Sequence, residues 1–213
     1  MTLSVTEPTS PALRAVLLQA CTPPRCSPPP AVADANPDKT CRSGDCDNGT
    51  GVQRLARIGP DPTIYFFDGP RQYEGEFKSG KMEGSGKVFD WHGNLVFTGT
   101  FKGGQPEGVG IRVFYFRGKL DRAYEGGFHD GKQDGFGIYT RFSDSGSISK
   151  IYAGDWKAGD EEGNGKEYVW GDPAPVLVFE GTFRKGKRHG KGKETKKGVV
   201  SEGEWVDGEK NAP

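Results

Sequence analysis

Aromatic residues are missing from the first 64 positions of this 213-residue chain, although the whole chain contains seven tyrosines, thirteen phenylalanines and four tryptophans. The segment before Tyr65 therefore has few large apolar side chains to offset the conformational entropy lost on folding. Ten of the fifteen prolines but only four of the 34 glycines lie in residues 1–68. We therefore predict that residues 1–40 form a disordered, proline-rich segment.

An excess of charge of either sign is also missing, because 29 basic residues balance 29 acidic ones. A general nucleic-acid-binding domain would carry a basic excess, so we expect no nucleic-acid partner. Long hydrophobic runs are absent as well, and none approaches the roughly 18 residues that a membrane-spanning helix needs. We therefore expect neither a general nucleic-acid-binding protein nor a membrane-spanning one.

Glycine is abundant from residue 69 onward, and it recurs with aromatic residues at fixed spacing. The pattern is aromatic-x-Gly-x-aromatic-x-x-Gly-x-x-x-Gly-x-Gly, and the repeats start near residues 73, 97, 124, 152, 179 and 201. In the first repeat it reads Tyr73, Gly75, Phe77, Gly80, Gly84 and Gly86. The sixth copy has Ser201 in place of the leading ring. A fixed period of this kind indicates a repeat protein in which each copy packs against its neighbours.

The spacing within each repeat predicts a β-hairpin. Residues two apart share one face of a strand, so Tyr73, Gly75 and Phe77 should point the same way. The glycine between the two rings leaves a flat gap over which a ring can lie. The later glycines supply the positive φ angles of a hairpin turn. We therefore predict an all-β fold: an elongated, single-layer antiparallel meander of about six β-hairpin repeats.

These residues resemble the membrane occupation and recognition nexus (MORN) repeat family. The resemblance implies a MORN-repeat domain over residues 73–213 and a grooved sheet that serves as a scaffold or adaptor. Asn48, Gly49, Thr50 and Gly51 resemble the second half of a preceding repeat, and Phe67–Gly69 resemble its closing turn. Residues 41–72 are therefore predicted to form a degenerate N-terminal cap.

The two aromatic rows are the predicted partner-binding groove. A single-layer sheet has no second layer to cover its rings, so we expect them to stack on one another and leave a remainder for a protein or peptide partner. The groove residues are Tyr73, Phe77, Phe97, Phe101, Tyr124, Phe128, Tyr152, Trp156, Phe179 and Phe183. The function expected from this pattern is a non-catalytic scaffold.

The fifth repeat offers an alternative, peripheral binding to anionic phospholipid membranes. Its basic residues include Arg184, Lys185, Lys187, Arg188, Lys191 and Lys193. Each basic group near an anionic surface contributes about 1 kcal/mol of attraction. The competing interpretation is a charged, solvated face that also protects the sheet edge.

No pattern of catalytic or cofactor-binding residues stands out. The glycines lack the strand-loop-helix context of a nucleotide-binding loop, and the three histidines do not fall into a triad-like arrangement. Asp160, Glu161 and Glu162 form an acidic turn that could hold a cation, but a solvated hairpin tip is the favoured interpretation. We therefore predict no enzyme activity, no cofactor and no metal.

The four cysteines precede the repeats as two pairs, Cys21 with Cys26 and Cys41 with Cys46. Disulfides in an oxidising compartment are favoured over a zinc site, since the segment is proline-rich and lacks aromatics. Residues 41–51 also resemble the entry to the repeats of exported bacterial MORN proteins, and residues 17–21 weakly resemble a lipoprotein cleavage box. The expected location is the cell envelope or outside the cell, with a membrane-associated cytoplasmic protein as the alternative.

Overall fold

The structure is a computed structural model that describes residues 39–55, 70–171 and 174–211. These residues form fourteen strands and no helix. The strands are β1 (Lys39–Gly44), β2 (Thr50–Leu55), β3 (Pro70–Lys78), β4 (Lys81–Asp90), β5 (Leu95–Lys102), β6 (Gln105–Phe116), β7 (Lys119–His129), β8 (Lys132–Phe142), β9 (Ile148–Lys157), β10 (Asp160–Trp170), β11 (Pro175–Arg184), β12 (Lys187–Lys196), β13 (Val199–Val206) and β14 (Glu209–Lys210). A helix long and apolar enough to cross a membrane is accordingly absent from the described ranges.

The chain divides into two compact units, and the division falls inside β6 between Val113 and Phe114. In the N-terminal unit each strand from β1 to β6 pairs antiparallel with the next strand in sequence. In the C-terminal unit the strands from β7 to β14 follow the same rule. The predicted all-β antiparallel meander of hairpin repeats is thus confirmed in each unit.

Each repeat is built on a two-residue turn whose backbone matches the twist of the flanking strands. In the turn between β9 and β10, Ala158 has a φ of 52° and Gly159 a φ of 101°. Positive φ at both central residues defines a type I′ turn, the geometry that joins twisted strands without splaying them. The turn between β11 and β12, Lys185–Gly186, has the same signs.

The last glycine of each pattern has a different role, which is to make room for a ring. Gly137 of β8 pairs with Gly126 of β7 and Gly154 of β9, so glycines meet across neighbouring strands. A Cβ placed on Gly137 would lie 2.4 Å from three atoms of Tyr124. This row of cross-strand glycines comprises Gly51, Gly75, Gly86, Gly99 and Gly110 in the N-terminal unit and Gly126, Gly137, Gly154, Gly165, Gly181, Gly192 and Gly203 in the C-terminal unit.

Consecutive repeats are joined by hydrogen bonds between their turns. Gly159 N donates to Gln133 O at 2.9 Å, and the neighbouring amide of Ala158 donates to Asp134 Oδ2 at 3.1 Å. One repeat later, Gly186 N donates to Glu161 O and Lys185 N donates to Glu162 Oε2, both at 3.0 Å. A carboxylate at this position therefore holds the next turn in place, because it satisfies an amide that the turn leaves unpaired.

Residues 39–55 form a hairpin that continues this pattern at the N-terminal end. Gly51 pairs with Gly75 of β3, and Asn48 Oδ1 accepts a hydrogen bond from Ser79 N at 3.0 Å. Cys41 and Cys46 form a disulfide, and a Cβ on Gly51 would lie 2.8 Å from Cys46 Sγ. The sulfur thus occupies the space that a ring occupies in the repeats.

Several sequence-based predictions fall outside the described residues. These are the predicted disordered segment 1–40 up to residue 38, the Cys21–Cys26 pair and the turn at Phe67–Gly69. The last two residues of that segment, Lys39 and Thr40, instead pair with β2 as the start of β1.

Candidate functional site: the aromatic face

We call the side of the sheet that carries the repeat rings the aromatic face, and the opposite side the outer face. On the aromatic face within each unit, a leading ring contacts the second ring of its own repeat and, where the next repeat belongs to the same unit, the second ring of that repeat as well. Tyr152 lies 5.5 Å from Trp156 and 4.9 Å from Phe183, measured between ring centroids, with interplanar angles of 87° and 82°. These edge-to-face arrangements are the favoured geometry of aromatic pairs. The same contacts link Phe179 to Phe183 and to Trp205.

All ten predicted groove rings are buried, with 0–7 % of each side chain exposed. They are Tyr73, Phe77, Phe97, Phe101, Tyr124, Phe128, Tyr152, Trp156, Phe179 and Phe183. The rings therefore form the core and do not line an open groove, because the leading rings lie over the glycine row and the second rings pack against the leading rings. The surface available to a partner on this face belongs mainly to the side chains that flank the rings.

Flanking side chains in the C-terminal unit form a charged network that sequence reasoning missed. Arg188 Nη2 lies 2.6 Å from Glu167 Oε2, and Arg188 Nη1 lies 2.9 Å from Glu194 Oε1. The guanidinium carbon also lies 4.4 Å from the centroid of the Phe179 ring. The second oxygen of each carboxylate is paired with a lysine. Lys150 Nζ lies 2.5 Å from Glu167 Oε1, and Lys196 Nζ lies 3.2 Å from Glu194 Oε2. The available signal was a charged residue two positions after the last glycine in three of the five complete repeats, namely Arg112, Glu167 and Glu194.

Two opposing effects act on the pKa of the Glu194 carboxyl. Burial raises its pKa, but hydrogen bonds from Lys196 and Arg188 outweigh burial and hold the pKa below its usual value. A carboxylate with charged donors on both sides remains ionised at neutral pH. Glu194 therefore acts as a fixed negative partner for Arg188.

Glu161 has a different environment on the same face. It pairs in register with Trp156, and burial raises the pKa of its carboxyl to about 7. Lys150 opposes this rise, while the negative charges of Glu167 and Asp160 add to it. Within the described ranges, its carboxylate makes no hydrogen bond or ion pair. Glu161 is thus a half-buried acid whose charge is poorly compensated.

The three carboxylates of the acidic turn, those of Asp160, Glu161 and Glu162, do not converge on one site. Glu162 is committed to Lys185 N, whereas Glu161 lies on the aromatic face beside Trp156. In the part of the chain that the structure describes, Asp160, Glu161 and Glu162 do not come within metal-ligand distance of one another. The arrangement matches the interpretation as a hairpin tip rather than a cation site.

The basic residues of the fifth repeat divide into two groups. Arg184 pairs with Asp207 at 3.4 Å, Lys193 pairs with Glu202 at 2.8 Å, and Arg188 belongs to the network above. Lys185, Lys187 and Lys191 are exposed and make no ion pair with the described residues. Half of the predicted lipid-binding cations are therefore already neutralised by carboxylates.

The family model for the MORN repeat matches residues 73–88, 97–115, 124–145, 152–172, 179–197 and 202–211, which together make up half of the chain. The chain therefore belongs to the MORN repeat family. Over 100 residues it is 33 % identical to alsin from Homo sapiens and to alsin from Mus musculus, an alignment that covers 46 % of this chain. The aligned part is 6 % of the length of either relative.

Proposed function

We propose that this MORN-repeat scaffold is non-catalytic and binds a protein or peptide partner on the aromatic face of its C-terminal unit. The observation that carries the proposal is the poorly compensated carboxyl of Glu161, which lies beside the buried ring of Trp156. Tyr139, on the same face, is half-buried, with its ring centroid 6.1 Å from that of Trp156. A carboxylate next to aromatic side chains suits a lysine or arginine whose apolar stem packs on a ring.

The charge balance of the site predicts how binding depends on pH. The pKa of Glu161 is raised to about 7, so the carboxylate becomes the dominant form only above that pH. A cationic partner group binds the ionised form, and its arrival lowers the pKa in turn. Affinity for a basic segment should therefore increase from pH 6 to pH 8.

The test compares charge reversal on the two faces of the full chain. Proteins captured from native extracts by the wild type are identified by mass spectrometry, and the dissociation constant of the best candidate is then measured with purified components. Glu161→Arg should weaken binding by at least tenfold, while Glu204→Arg, which alters an exposed residue on the outer face, should leave it unchanged. Equal affinity of the two variants and the wild type would overturn the proposal.

Peripheral membrane binding is the second candidate, and it is favoured by the exposed side chains of Lys185, Lys187 and Lys191. Three cations at about 1 kcal/mol each support only weak, salt-sensitive attachment. The double variant Lys185→Glu/Lys187→Glu should abolish sedimentation with vesicles of phosphatidylcholine and phosphatidylserine. Failure of the wild type to sediment with these vesicles removes the candidate.

An oxidising location is supported by the Cys41–Cys46 disulfide, because such bonds persist outside the reducing cytosol. Thiol labelling of the protein in fractionated native cells tests this. Cys41 and Cys46 should resist labelling until a reductant is added, and free labelling in the cytosolic fraction would contradict an exported location.

A further inference from the structure

The turn between β1 and β2 contains an Asn-Gly dipeptide, Asn48–Gly49, and β10 contains a second one, Asn164–Gly165. Asn48 is exposed, and Gly49 lies outside the strands, directly before β2. Gly165, by contrast, is buried and pairs with both β9 and β11. The same dipeptide therefore occurs once in an exposed turn and once inside a paired sheet.

The carboxamide of Asn48 is held through its oxygen. Ser79 N donates a hydrogen bond to Asn48 Oδ1 at 3.0 Å, and Asn48 N donates one to Asp45 Oδ1 at 3.0 Å, which fixes the turn. Across residues 39–55, 70–171 and 174–211, neither Asn48 Nδ2 nor Gly49 N has a hydrogen-bond partner. A backbone donor thus polarises the Cγ–Oδ1 bond of an exposed carboxamide, and the next residue has no side chain to shield its nitrogen.

We propose that Asn48 is a modification site, at which the side-chain amide is converted to a carboxylate by the neighbouring backbone and water. The Gly49 nitrogen loses its proton and bonds to Asn48 Cγ, the Cγ–Nδ2 bond breaks, and ammonia leaves with that proton. Water then adds to Cγ of the resulting succinimide and breaks the new bond, which restores the Gly49 N–H and leaves a side-chain carboxyl. The Ser79 N–H contacts the oxygen on which negative charge develops in both steps.

The product matches the carboxylates that hold the equivalent turns in the repeats. Asn48 has the position that Glu83 has in the first repeat, directly before the third glycine of the pattern. Glu83 Oε2 accepts a hydrogen bond from Gly103 N at 2.9 Å, as Asn48 Oδ1 does from Ser79 N. A carboxylate at position 48 makes this bond charge-assisted and therefore stronger. The modification lies in the N-terminal unit and is separate from the partner binding proposed above.

Mass spectrometry of the full chain tests the modification. The folded protein and the protein unfolded in guanidinium chloride are incubated at pH 8, and conversion is followed in the peptides that contain Asn48 and Asn164. In the folded protein Asn48 should convert at least about tenfold faster than Asn164, because the sheet withholds Gly165 N, and after unfolding the two rates should converge. Equal rates at the two sites of the folded protein, or an Asn48 that folding slows as much as Asn164, would overturn the proposal.

Matched variants separate the reaction from its consequence. Asn48→Gln keeps an amide, but its longer side chain disfavours the five-membered ring, so conversion at this position should stop. Asn164→Gln is the control and should leave the conversion of Asn48 unchanged. Asn48→Asp imitates the product, and hydrogen exchange of the Ser79 amide should be slower in it than in the wild type because the bond is charge-assisted. Loss of conversion in both glutamine variants, or faster exchange at Ser79 in Asn48→Asp, would contradict the assignment.

Discussion

Replacement of Gly137 by alanine tests the central feature of the fold, the close approach of a ring to the glycine row. The new Cβ would lie 2.4 Å from Cε2, Cζ and Oη of Tyr124, about 1 Å closer than ordinary van der Waals contact. The ring has no room to retreat, because it is fully buried and its centroid lies 5.2 Å from Phe128 and 5.0 Å from Trp156. Overpacking of this kind costs about 1–3 kcal/mol.

Gly203→Ala is the matched control for this substitution. Gly203 belongs to the same row, but the sixth repeat has Ser201 in place of a ring, and a Cβ on Gly203 would meet mainly the flexible end of Lys210. The lysine side chain can move aside. Because alanine has less conformational entropy than glycine in the unfolded chain, the substitution should leave stability unchanged or raise it by about 0.5 kcal/mol.

The assay is urea unfolding of the full chain, followed by far-ultraviolet circular dichroism. Gly137→Ala should lower the free energy of unfolding by about 2 kcal/mol. In a Tyr124→Leu background the same alanine should cost at least 1 kcal/mol less, since the smaller side chain removes the clash. If Gly137→Ala is as harmless as Gly203→Ala, or if Tyr124→Leu does not relieve it, the account of the glycine row is refuted.

Three further predictions concern the aromatic face. In the folded protein the pKa of Glu161 is about 7, above its ordinary value of 4.5, so the wild type loses stability as pH rises between these values. Glu161→Gln should therefore stabilise the protein by up to about 3 kcal/mol at pH 8 and have little effect near pH 4. Urea titrations at both pH values test this. Trp156→Ala should cost about 3–5 kcal/mol in the same unfolding assay, and an unchanged midpoint would contradict its place in the core. Arg188→Met should cost about 1–3 kcal/mol by leaving Glu167 partly uncompensated, whereas Arg184→Met, in an exposed pair, should cost under about 0.5 kcal/mol; equal thermal midpoints would show that the network adds no stability.

Repetition made much of this fold predictable. The recurrence of Tyr152, Gly154 and Trp156 at matching positions in the other repeats was enough to assign strands, faces and turns, because side chains alternate along a strand and two-residue turns need positive φ. The hairpin of residues 39–55 follows the same rule, because Gly49 and Gly51 take the places that the third and fourth glycines take in a repeat.

The site was less predictable, because it depends on which side chains meet across strands. Arg188 appeared in the sequence as one of several basic residues, yet its guanidinium lies between Glu167 and Glu194, which are 27 residues apart in the chain. The rings were expected to leave an exposed remainder, but the T-shaped contacts of Tyr152 with Trp156 and Phe183 bury them.

The sequence by itself determined the class of fold, the number of repeats and the face on which the rings lie, since these depend on short-range spacing and on the conformational freedom of glycine. Only the tertiary structure decided which charges are compensated and that the rings form a core. Those properties depend on distances between residues far apart in sequence, where burial removes water and makes each neighbouring charge count.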